Sequence, residues 1–75
     1  MPESTTRKHF RIAAKLLIEA RIRDGWDHIT LSYIKDVLQP TSKVALNGIL
    51  WGVNDLKTDE RISRTDERGV YAVVS

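Results

Sequence analysis

Asp27, His28 and Ser32 place a carboxylate, an imidazole and a hydroxyl close together in the chain, the functional groups of nucleophilic acyl transfer. That chemistry needs a base within hydrogen-bond reach of a nucleophile held on a strained turn. Adjacent residues such as Asp27 and His28 rarely aim at each other. No nucleophile elbow surrounds Ser32, and 75 residues are too few to enclose a substrate pocket. His9 is the second of two histidines, and there is no cysteine. No Gly-rich phosphate loop, zinc-ligand spacing or carboxylate cluster appears. The chain is therefore expected not to be an enzyme and to use no cofactor or metal.

Cations are the other chemistry on offer. Twelve Lys and Arg face ten Asp and Glu, for a net charge of +2 and an isoelectric point near 9.2. That balance is only mildly basic, so distribution matters more. Arg7, Lys8, Arg11 and Lys15 cluster early, and Arg61, Arg64 and Arg68 cluster late. The first group reads as a solvated helix face or as a phosphate contact. Asp59-Glu60 and Asp66-Glu67 dilute the second.

The elements that position these groups follow from local signals. Residues 1–5 read as a disordered start and residues 6–75 as one domain with a thin core, since so short a chain buries only about 60% of its unfolded surface. Thr5 or Thr6 is expected to cap a helix running to about Arg23, with Phe10, Ala13, Ala14, Leu17 and Ala20 on its inner face. Arg7, Arg11, Ile18 and Ile22 lie off that stripe. Asp24-Gly25 ends the helix. Trp26 is expected in the core. Ile29-Thr30-Leu31 forms a minimal strand that pairs with the C-terminal hairpin. Ser32 caps a short helix, Tyr33 to Leu38, with Ile34, Val37 and Leu38 at helical spacing, and Pro40 stops it.

Thr41 or Ser42 then caps a third helix, Lys43 to Leu56. Ala45, Leu46, Ile49, Val53 and Leu56 face inward. Lys43, Asn47 and Asn54 face outward, with Trp51 beside them. Gly48 and Gly52, one turn apart, indicate close packing against another helix, a second subunit or a ligand backbone. Trp51 packs against the hairpin or Val44, or else contacts a partner. The chain closes with two strand-like runs, around Arg61 to Arg64 and Val70 to Val74, joined by a loop in which Gly69 takes positive φ. Ile62, Tyr71 and Val73 are expected inward, and Val70 and Val74 lightly covered.

Taken together, Ile29 to Ser32, the Gln39-Pro40-Thr41-Ser42 turn, the Lys43 to Leu56 helix and the Arg61 to Val74 hairpin resemble the winged helix-turn-helix superfamily. Small phage, plasmid and bacterial regulators are the most similar in size. The likeness implies an α+β fold of three helices with a C-terminal β-hairpin wing. It also implies sequence-specific duplex DNA binding, transcriptional regulation and a homodimer. The third helix, about residues 42–56, would enter the major groove. Thr41 and Ser42 would hold phosphates. Lys43 would meet a phosphate or guanine, and Asn47 an adenine. Arg64 and Arg68 would flank the wing.

A second reading is a winged-helix protein-interaction module using Trp51 and the edge of the C-terminal strand, motivated by Asp66-Glu67 in the hairpin loop. A third is a trihelical domain that exchanges its C-terminal strand between copies. Met1 to Thr6 lacks an apolar run, and Leu16-Leu17-Ile18 is too short to span a bilayer. A cytoplasmic location without membrane contact is expected, at the nucleoid if the source is bacterial.

Overall fold

The computed structural model describes residues 5–74. The fold is α+β. Its elements are α1 (Thr5–Arg23), β1 (His28–Thr30), α2 (Leu31–Leu38), α3 (Lys43–Thr58), β2 (Ile62–Arg64) and β3 (Val70–Val73). The three strands form one antiparallel sheet in the order β1-β3-β2. The expected frayed start lies outside the described residues except for Thr5, which is already helical. Neither Thr5 nor Thr6 is therefore the cap.

Chain punctuation follows the local signals. Gly25 (φ 91°) closes α1 in a Schellman arrangement, with Gly25 N–H donating to Ile22 C=O and Trp26 N–H to Arg21 C=O. The cap of α2 is Thr30 rather than Ser32. Its Oγ1 accepts from Tyr33 N–H at 3.0 Å while its backbone completes β1. One residue thus ends the strand and starts the helix, which makes α2 two residues longer than expected and draws in Leu31. Gln39 ends α2 in the left-handed region (φ 47°) before Pro40. Ser42 caps α3 by accepting from Ala45 N–H at 3.1 Å. That helix runs two residues past Leu56, because Glu60 (φ 60°) supplies the left-handed stop without a glycine.

The core comprises Ala14, Ile18, Ile29, Ile34, Ala45, Ile49, Val53, Leu56 and Ile62. The expected inner stripe of α1 is corrected by rotation. Ile18, placed off the stripe, is fully buried, and Ile22 packs partly against the core. The cause lies on α3. A Cβ at Gly52 would stand 2.6 Å from Arg11 C=O and 3.1 Å from Ala14 Cβ, and one at Gly48 would collide with Arg7 C=O. These two notches seat the backbone of α1 and choose which of its apolar sides faces inward. Ile12 and Leu16 are left exposed on the other side. Val37 and Trp26 are also corrections. Both lie at the surface, Trp26 against Tyr33 (4.9 Å between ring centroids) because the Gly25 turn carries it past the sheet.

The hairpin keeps its expected inward residues, with Ile62 buried and Tyr71 and Val73 partly so. Its loop is closed by Thr65, whose hydroxyl donates to Val70 C=O at 2.8 Å and accepts from Glu67 N–H at 3.2 Å. Gly69 C=O, at φ 78°, accepts from Leu31 N–H at 2.7 Å and ties the loop to α2. The C-terminal strand is not an edge. β3 is paired on both sides, with Ile29 opposite Tyr71 and Ile62 opposite Val73, so the edges belong to β1 and β2. Strand exchange is likewise not what the chain shows, because β3 finds both neighbours within its own chain.

Candidate nucleic-acid interface

The outward side of α3 carries Lys43, Asn47, Leu50 and Asn54, all exposed. Their spacing of four, three and four residues keeps them on one stripe. Sixteen residues at about 1.5 Å rise give a rod about 24 Å long. Its first turn contains no acid, so nothing offsets the positive end of the helix dipole. The Ser42 oxygen is occupied as the cap, which leaves its hydroxyl proton as the group it can offer. Thr41, Ser42 and Lys43 share a shallow depression of about 410 Å³ with Lys35 and Leu46.

Arg64 and Arg68 stand apart from that end. Arg64 lies on the same sheet face as Ile62 but beyond the core, and Arg68 lies in the hairpin loop. Both line a groove of about 640 Å³ between α3 and the hairpin, with Leu50, Lys57 and Tyr71. Asp66 and Glu67 line it too. The six expected residues thus fall in two groups: Thr41, Ser42, Lys43 and Asn47 at the start of α3, and Arg64 with Arg68 across the groove from its second half. Lys57, whose ammonium is 6.0 Å from the Tyr71 ring centroid, joins the second group and was missed. Its position three residues after Asn54 continues the outward stripe, so the signal was present in the sequence.

Four other cations are engaged elsewhere. Arg11 donates two hydrogen bonds to Asp55, at 2.7 and 2.9 Å, and Lys15 approaches the same carboxylate at 3.7 Å. The Arg11 hydrogen bond holds the Asp55 carboxyl below the usual aspartate range against the opposing cost of burial, with the Arg11 and Lys15 charges adding to the lowering. Arg61 grips Glu19 with two bonds, at 3.0 and 2.9 Å, which lowers the Glu19 carboxyl and raises the guanidinium. Arg21 pairs with Asp24 at 2.9 Å. The early and late basic clusters are thus split. Arg11, Lys15 and Arg61 brace the fold, whereas Lys43, Arg64 and Arg68 make no ion pair among the described residues.

Trp51 is 48% exposed on the α1 side of the stripe, with the Arg7 and Arg11 guanidiniums 5.6 and 5.2 Å from its ring centroid. Asp27 and His28, expected not to meet, do so at 3.2 Å, and the His28 hydrogen bond lowers the Asp27 carboxyl. Both are exposed, and Ser32 lies within α2. Among the described residues no cluster of His, Cys, Asp and Glu is arranged to hold a metal, and no helix is long and apolar enough to cross a membrane. Compared with protein-family models, curated proteins and solved structures, the chain matches none.

Proposed function

We propose that this chain is a sequence-specific duplex DNA-binding protein of winged helix-turn-helix type, a small transcriptional regulator that acts by occupying its site. In this reading α3 lies in the major groove and the β2–β3 hairpin is the wing. The observation that carries it is the division of cations. Arg11, Lys15, Arg21 and Arg61 are paired with Asp55, Asp24 and Glu19, whereas Lys43, Arg64 and Arg68, bordering the outward face of α3, make no ion pair among the described residues and are free to meet phosphate. Element order and sheet order are compatible with the winged layout. Asn47, exposed on the stripe, has the paired donor and acceptor that an adenine edge requires. Ile12 and Leu16, exposed together on α1, support assembly as a homodimer, which sedimentation would test.

The test is fluorescence anisotropy of a labelled duplex at about 50 and 200 mM salt. If Lys43, Lys57, Arg64 and Arg68 each neutralise one phosphate, a slope near −0.9 per contact gives a loss of roughly 150-fold over that range. On a selected site, Asn47→Ala weakens binding by roughly 10- to 100-fold, and Lys43→Ala weakens it on every sequence. Absence of binding at low salt overturns the reading.

One observation favours a protein-docking module instead. Leu50 (38% exposed) and Trp51 put two adjacent apolar side chains on the same helix, and Leu50 shares its groove with the acidic loop residues. With β3 buried between its neighbours, that surface is α3 itself. Duplex binding insensitive to Lys43→Ala would favour it.

A further inference from the structure

Two guanidiniums lie over Trp51, and they are not equivalent. Arg11 is clamped by the Asp55 carboxylate. Arg7 has no carboxylate among the described residues. A guanidinium over an indole uses its face. Its N–H donors lie in its own plane and remain available to an oxyanion. Arg7 is also well anchored. It sits where its own carbonyl meets the Gly48 notch, so its backbone is fixed against α3.

Position identifies the anion. Trp51 follows Asn47 by one turn, on the flank of the outward stripe that faces α1. Lys57, Arg64 and Arg68 border the opposite flank. A helix in the major groove, about 12 Å wide, runs between two phosphate backbones and needs cations on both sides. We propose that Arg7, propped on Trp51, binds a backbone phosphate of the strand opposite the hairpin, extending the interface onto α1. This inference rests on the DNA-binding reading above.

The probe is a fluorescein-labelled duplex of about 20 base pairs, in two unrelated sequences, titrated over a salt series with the full chain. Arg7→Ala should weaken binding equally on both duplexes and reduce the slope of log affinity against log salt by about 0.9. Arg7→Met, which keeps the stem over the indole, should do the same and covers the case in which Arg7→Ala misfolds. In a Trp26→Phe background, saturation with duplex should change Trp51 emission. An unchanged slope in both Arg7 variants, or unaltered Trp51 emission at saturation, overturns the Arg7 assignment while leaving the DNA reading intact. Failure of the unmodified chain to bind either duplex at about 50 mM salt overturns both.

Discussion

The two flanks of α3 use similar residues for opposite purposes. Toward α1 the helix is cut down to Gly48 and Gly52, and its one acid, Asp55, gathers Arg11 and Lys15. Backbones approach closely there, and Asp55 offsets part of the positive charge. On the outward side, from Lys43 through Asn47 and Asn54 to Lys57, no acid stands on the helix, and the facing Arg64 and Arg68 are unpaired among the described residues. The comparison teaches that a basic residue's role here is set by whether a carboxylate is within reach, not by its place in a cluster.

Substitution at Gly48 tests the packed flank most severely. Gly48→Ala gains about 1 kcal/mol in helix propensity but sets a Cβ against the Arg7 carbonyl, a backbone atom that cannot swing aside. Overpacking of this kind costs typically 1–3 kcal/mol or more. We expect a net loss of up to about 2 kcal/mol, seen as a Tm lower by up to roughly 16 °C. Asn47→Ala, one residue earlier and outward, should stay within about 0.5 kcal/mol of the parent in the same denaturation experiment. Similar losses at both positions would break the contrast.

Asp55→Asn comes next. It removes a partly exposed pair, and with solvent screening a loss of about 1 kcal/mol is expected at neutral pH. The pH dependence has a definite sign. Because Arg11 lowers the folded-state pKa of Asp55, its contribution is present above the unfolded aspartate value, about 3.9, and is lost as pH falls through the lower folded value. The stability gap between parent and Asp55→Asn should therefore close below about pH 4, as followed by urea denaturation across pH. Glu19, held by Arg61, adds to the same acid limb.

The smallest effects on stability belong to the open flank. Arg64→Ala and Arg68→Ala should each leave the unfolding free energy within about 0.5 kcal/mol of the parent while lowering the salt slope of duplex binding by about 0.9. Greater instability in either variant would show that the hairpin cations brace the fold after all.

Much of the candidate site was legible from periodicity. Lys43, Asn47 and Asn54 on one side of a helix, with Ala45, Ile49 and Val53 on the other, need only the 3.6-residue repeat. Lys57 was missed because the helix was ended at Leu56, where no glycine marks the stop. The unusual αL residue is Glu60. Arg61 was grouped with Arg64 and Arg68 because charge along a chain carries no record of Glu19, 42 residues away. Thr65, which closes the hairpin loop, had no signal of its own.

By itself the sequence determined the local events: the Gly25 stop, the break at Pro40, a cap at Thr41 or Ser42, the two-faced third helix and the turn at Gly69. Each depends on backbone preference, a neighbouring hydrogen bond or side-chain spacing, all confined to a few residues. Tertiary structure alone decided which apolar side of α1 enters the core, that β3 is the central strand, that Trp26 is left outside, and which arginines keep their charge unmatched. Those outcomes depend on how elements dock across tens of residues, where the Gly48 and Gly52 notches and the reach of Asp55 and Glu19 select among arrangements that the local pattern leaves equivalent.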